Sequence, residues 1–89
     1  MNLKQSEGEV IARLCEMAAE QANLDVSAVT PESDFINDLN FDSLDVVEYV
    51  MKIEEEFDVS IDDERVEGVR TPRQAHQMLK AVVANQTAG

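Results

Sequence analysis

Four stretches of this chain repeat apolar residues at helical spacing, and turn-forming residues fill the segments between them. From residue 3 to 22, Val10, Leu14, Met17 and Ala18 share one stripe with Ile11 beside them, which predicts a first helix. Asn2 and Ser6 are both candidates to cap it; Ser6 with Glu9 has the capping-box form, although Gly8 weakens that first turn. Residues 23 to 41 form a long connection with turn formers at Thr30-Pro31, Ser33-Asp34, Asn37-Asp38 and Asn40. Leu24, Val26, Val29, Phe35, Ile36 and Leu39 supply apolar anchors, so the connection is expected to be pinned to the core.

Asp42 to Phe57 predicts the second helix, with Asp42 as its N-cap, Asp45 in its first turn and an end near Asp58. On a helical wheel, Val46, Val50, Ile53 and Phe57 form one stripe, and Leu44, Val47 and Met51 form another about 130° away. Glu48 and Glu55 flank the second stripe. One stripe suffices for a core, so the second is either covered by the long connection or left for a partner. A short third helix follows, with Asp62 as N-cap, Ile61 and Val66 as a hydrophobic staple, and Gly68 expected to stop it in the left-handed conformation. Thr71-Pro72-Arg73-Gln74 combines an N-cap, a proline at the first helical position and a capping-box glutamine. Ala75, Met78, Leu79 and Val82 continue that fourth helix to about Ala84, and residues 1–2 and 85–89 are expected to fray.

The 89 residues therefore read as one all-α domain, a four-helix bundle of three main helices and a short third one, turning right or left. The expected core is Val10, Leu14, Phe35, Val50, Ile53, Phe57, Val69 and Leu79. No apolar run approaches the roughly 18 residues of a membrane span, and residues 1 to 9 lack a secretory layout, so a soluble cytoplasmic protein without membrane insertion is expected. Cys15, the one cysteine, sits at the edge of the first stripe and reads as a small packed residue; with a single histidine, His76, no zinc spacing exists.

Charge sharpens the picture. The net charge of −12 is carried almost wholly by residues 32 to 64, where thirteen acids face only Lys52. Such a field repels nucleic acid and anionic membranes and favours basic partner surfaces. Catalytic constellations are missing from the sequence: His76 has no serine or cysteine in a nucleophile setting near it, and the glycines at 8, 68 and 89 make no phosphate loop. His76 lies beside the stripe of the last helix and reads as structural. The acids from Asp58 to Glu64 lack the alternation and central glycine of an EF-hand, so no metal site is assigned. What remains is Ser43, at the first position of the second helix, where backbone N–H groups favour a phosphate.

The run Asp-Leu-Asn-Phe-Asp-Ser-Leu-Asp-Val-Val-Glu-Tyr-Val-Met-Lys-Ile-Glu-Glu-Glu-Phe-Asp, residues 38 to 58, resembles the acyl carrier proteins, whose signature is Asp-Ser-Leu opening an acidic second helix. The resemblance extends from Leu24 to Leu79 without a gap. Where the family has Asp-Leu-Gly, this chain has Asp38-Leu39-Asn40; asparagine is the commonest non-glycine visitor to the left-handed conformation, so the turn survives. Asp42, rather than a histidine, favours an acyl carrier over the peptidyl carriers of peptide synthetases.

The resemblance implies 4'-phosphopantetheine, taken from coenzyme A, on Ser43, with acyl intermediates carried as thioesters in fatty-acid or polyketide-type synthesis. It implies a substrate carrier, monomeric, modified by a phosphopantetheinyl transferase and visited by basic-patched synthases and acyltransferases. Asp42 and Leu44 would flank the attachment point; Leu44, Val47 and Met51 would dock partners, with Asp45, Glu48, Glu54 and Glu55 supplying attraction. It also implies an acyl cavity between the second and third helices, walled by Leu39, Tyr49, Ile53, Ile61, Val66 and Val69. Tyr49 stands at its edge or in the core with a satisfied hydroxyl. The rival reading is a non-carrying acidic interaction subunit of the same fold.

Overall fold

The computed structural model describes residues 7–88. Within them the order is α1 (Glu7–Ala22), a 3-10 turn (Val26–Ala28), α2 (Ser43–Phe57), α3 (Asp63–Glu67) and α4 (Pro72–Ala88), with no strand among the described residues. The all-α class and its four helices match the expectation. The capping candidates Asn2 and Ser6 and the first residues of the predicted helix lie outside the described residues.

The α1 helix is the hub, packing on α2, on α4 and on the 3-10 turn. Its stripe is buried as the periodicity predicts, and Cys15 with Ala19 joins Val10, Leu14, Met17 and Ala18 inside. All eight expected core residues are buried. On α2 the buried face is rotated from the predicted one: Tyr49, Val50, Ile53 and Phe57 are buried while Val46 is only half-buried. The rotation follows from three rings packing together, Phe35 on Phe41 at 5.2 Å and Tyr49 edge-on to them at 4.9 and 5.9 Å.

The long connection is pinned, though not by all its apolar residues. Val29, Phe35, Leu39 and Phe41 are buried, whereas Leu24, Val26 and Ile36 are exposed. Two backbone hydrogen bonds fix it to the segment entering α4: Phe35 N donates to Arg70 O at 2.8 Å, and Arg73 N donates to Pro31 O at 3.0 Å. Between them, Ser33 Oγ accepts from Thr30 N at 2.9 Å. With the backbone satisfied this way, a nineteen-residue connection needs only part of its apolar surface for anchorage.

Three boundaries differ from expectation. Asp25 accepts from Ser27 N at 2.9 Å and so opens a 3-10 turn that the spacing did not announce. Gly68 closes α3 with φ −90°, a right-handed conformation, because Val69 N reaches Val66 O at 3.0 Å and completes the turn without a positive φ. The α4 backbone stays helical to Ala88, four residues past the predicted end, since Asn85, Gln86 and Thr87 include no helix breaker. Thr71 caps its start as predicted, accepting from Gln74 N on Oγ1 at 3.1 Å, while Gln74 Oε1 accepts from Arg70 N, one residue before the cap, at 2.7 Å.

Candidate functional site

The site is built where the long connection turns into α2. Asp34 and Asp38 form the preceding turn: Asp34 Oδ1 accepts from Ile36 N and Asn37 N at 2.9 and 2.8 Å, and Asp38 Oδ2 accepts from Asp34 N at 2.8 Å. These backbone donors, Asn37 first, hold the Asp34 carboxyl below the usual carboxylate range, with the Arg70 guanidinium adding to them. Asn40 then takes φ 59°, the left-handed conformation its residue type tolerates. That turn sends Phe41 inward, its amide donating to Phe35 O at 2.8 Å, and leaves Asp42 at the mouth of the helix.

Asp42 and Asp45 cap α2 reciprocally. Asp45 N donates to Asp42 Oδ1 at 2.9 Å, and Asp42 N donates to Asp45 Oδ2 at 3.1 Å. Two amides that would otherwise be orphaned at the helix start are thereby satisfied, and the Asp42 amide holds the Asp45 carboxyl low. Ser43, the first helical residue, is exposed beside this cap. An exposed hydroxyl on a fifteen-residue helix start, next to open space, fits the covalent attachment of a phosphodiester-linked arm.

The second stripe of α2 is open: Leu44, Met51 and Val47 are 62%, 53% and 50% exposed, so the connection does not cover them. Glu48 and Glu55 are exposed with them. Asp45 and Glu54 also make internal contacts. Asp45 is in the cap, and half-buried Glu54 accepts from Ile61 N at 2.8 Å, holding the turn from α2 to α3. Sequence reasoning missed Gln21, whose Nε2 donates to Glu48 Oε1 at 2.8 Å and to Asp45 Oδ1 at 3.1 Å. Gln21 belongs to no apolar stripe and is far from α2 in sequence, so no periodic signal marks it.

A groove of about 480 Å³ opens beside Ser43 between α2 and α3. Besides Ser43 it is lined by Ile36, Val46, Val47, Val66 and Val69, together with Glu67 and Arg70. Of the six residues expected to wall an acyl cavity, only Val66 and Val69 line this groove. Leu39, Tyr49, Ile53 and Ile61 are buried in the core. Tyr49 is 0% exposed and its hydroxyl donates to Leu14 O at 3.0 Å, a core residue with a satisfied hydroxyl.

His76 is buried between α4 and the start of α1, and burial holds its imidazole below the usual range. Burial likewise pushes the Cys15 thiol up, away from reactivity. No cluster of three or more metal-ligating side chains occurs among the described residues. Among them, no helix is long and apolar enough to cross a membrane.

Residues 12–79 match the family described as the phosphopantetheine attachment site. The chain is 41% identical over 76 residues to an acyl carrier protein of Prochlorococcus marinus (strain MIT 9515), covering 85% of this chain and 95% of that protein. Its fold is similar to the crystal structure of an acyl carrier protein from Thermotoga maritima, with a TM-score of 0.75 and 28% identity over 94% of this chain and 98% of that one. With its helical order, its capped second helix and a family match over most of its length, the chain belongs to the acyl carrier proteins, the family of the phosphopantetheine attachment site.

Proposed function

We propose that Ser43 is the residue that carries 4'-phosphopantetheine, and that the chain shuttles acyl groups between enzymes of fatty-acid biosynthesis or a related lipid or polyketide pathway. One observation carries this reading: Ser43 is an exposed hydroxyl at the first position of α2, beside the reciprocal Asp42–Asp45 cap and within the family match. The bound arm supplies a terminal thiol, which holds acyl groups as thioesters; the polypeptide acts as carrier, not catalyst. The family match gives no support to the rival reading of a non-carrying subunit.

The chain's own residues present the arm and attract its partners. The N–H groups of the first turn of α2 favour the phosphodiester, and the Asp42 and Asp45 carboxylates are already engaged with backbone amides there. Leu44, Val47 and Met51 offer apolar contact, and Asp45, Glu48, Glu54 and Glu55 add a negative field that speeds encounter with basic partners. The partners of this reading are a phosphopantetheinyl transferase, which Asp42 helps to position, and the synthases and acyltransferases of lipid synthesis. A single-domain monomer working in the cytoplasm suits a carrier that must exchange quickly among many enzymes.

Incubation with coenzyme A and a broad-specificity transferase tests the reading. The expected product gains the mass of one phosphopantetheine unit and one titratable thiol beyond Cys15. A chain that never gains that mass with a transferase competent on another carrier contradicts it.

A further inference from the structure

Arg13 and Gln21 both tie α1 to acids of α2, in different ways. At the end of α2 far from Ser43, Arg13 donates from Nε and Nη2 to the two oxygens of Glu56 at 2.8 and 3.1 Å, so the cation cancels the carboxylate it holds. At the end next to Ser43 the holder is Gln21, whose Nε2 donates to Glu48 Oε1 at 2.8 Å and to Asp45 Oδ1 at 3.1 Å. A neutral amide leaves both of those charges uncancelled. The two acids stand three residues apart on one helix, where like charges repel and would swing the longer side chain away. Asp45 does not depend on Gln21, since its Oδ2 already accepts from Asp42 N at 3.1 Å. Glu48 does, because among the described residues Gln21 is its only hydrogen-bonding partner. Gln21 is itself half-buried, so its amide is a fixed point and not a second mobile arm.

We propose that Gln21 is a positioning residue for partner docking, holding the Glu48 carboxylate on the exposed face of Leu44, Val47 and Met51 without cancelling its charge. The proposal rests on the carrier function proposed for Ser43 and deepens it by naming a residue outside α2 that sets how well basic partners bind. Such a partner meets a carboxylate that is already placed, so less side-chain freedom is lost on docking. The long-range attraction, which depends on charge, is left whole. A lysine in its place would hold the same carboxylate and remove the attraction, as Arg13 does for Glu56. A neutral side chain without a donor would keep the attraction and lose the hold. The two contributions are therefore separable at this one position.

Gln21→Met removes the donor at nearly the same length, and Gln21→Lys supplies a cation. Both introduce strong helix formers, and circular dichroism with thermal unfolding establishes that each variant is folded. The partner used is a phosphopantetheinyl transferase, with modification of Ser43 followed by intact mass. In Gln21→Met, KM for the carrier is expected to rise about three- to fivefold at low salt with kcat unchanged, and association is expected to keep its wild-type salt dependence. In Gln21→Lys, association is expected to slow and its salt dependence to flatten. In a Glu48→Ala background, Gln21→Met is expected to raise KM by no more than about 1.5-fold further, since it acts through Glu48. A wild-type KM in Gln21→Met overturns the proposal. So does a rise that persists in full in the Glu48→Ala background, which would make Gln21 a structural residue or a direct contact. A wild-type protein that the transferase never modifies is a different result, visible in the mass, and it overturns the carrier reading and this proposal with it.

Discussion

Gln21, in the last turn of α1, holds Glu48 of α2 with a 2.8 Å hydrogen bond and uses the same amide to hold Asp45 at 3.1 Å. One neutral side chain thus fixes two carboxylates on the face that carries Leu44, Val47 and Met51. The acidic face is therefore tied to the bundle and is not simply a row of solvated charges.

Reversing one of these charges separates docking from folding. Glu48→Lys is expected to weaken binding of a basic partner by roughly three- to tenfold at low salt, with unfolding free energy changed by about 0.5 kcal/mol or less. Wild-type affinity should itself fall as salt rises, since the attraction is screened over about 10 Å at 0.1 M. Titration of the transferase at two ionic strengths measures both; affinity indifferent to salt and to the substitution removes Glu48 from the docking face.

Asp42 has a capping role and a proposed partner role, and two substitutions distinguish them. Asp42→Ala loses the cap and is expected to cost about 1 kcal/mol in urea unfolding. Asp42→Asn retains a good cap and should unfold like the wild type, yet both variants lose the carboxylate offered to the transferase. Slower modification in both is the expected outcome; an unimpaired Asn variant would confine Asp42 to capping.

Two backbone positions give opposite expectations. Gly68 has φ −90°, and a Cβ placed there meets nothing within 4 Å, so Gly68→Ala is expected to stabilise by about 0.4–1 kcal/mol by restricting the unfolded chain. Asn40 has φ 59°, so Asn40→Val is expected to cost roughly 1–2 kcal/mol. Paired denaturant titrations check the signs, and a destabilised Gly68→Ala would contradict the right-handed geometry at that turn.

What the sequence made legible was periodic or local. The stripes of α1 and α4 followed from spacing, and the caps at Asp42 and Thr71 from residue type at a boundary. Exposure of Leu24, Val26 and Ile36 was not legible, because hydrophobicity does not say which side of an irregular turn faces inward. Gly68 misled for a related reason: glycine permits a left-handed stop but does not impose one. Which of the two places named for Tyr49 it takes was not legible either, because that depends on how three rings, two of them from the connection, pack in space. Phe41 carries no helical period at all, so its part in closing the interior had no sequence signal beyond its being aromatic.

Acid acts on this protein in two directions. Thirteen acids against Lys52 in residues 32 to 64 repel one another at neutral pH, so the first protons taken up as pH falls towards about 5 should stabilise the fold. Asp34, Asp45 and Glu56 are held below the usual range, by the Asn37 amide, the Asp42 amide and the Arg13 guanidinium. Their contribution is full above the ordinary carboxylate value of about 4 and is lost as pH falls through their lower folded values. His76, lowered by burial, has the same sign: its contribution is full above about 6.5 and declines below it, which blunts the gain from mild acid. Melting temperature against pH at low salt should therefore peak near about pH 5, with a steeper rise towards that peak in His76→Gln, and millimolar magnesium should raise it at neutral pH. A melting temperature that falls steadily from pH 7 and ignores magnesium would remove repulsion as a major cost.

The carrier role of Ser43 stands or falls on the site of modification. Wild-type protein and Ser43→Ala, both shown to be helical and folded, are incubated with coenzyme A and a phosphopantetheinyl transferase, and intact mass is followed by mapping of the modified peptide. One phosphopantetheine unit is expected on the wild type, localised to Ser43, and none on Ser43→Ala. A modified Ser43→Ala protein, or a wild-type unit mapped to another residue, would contradict it.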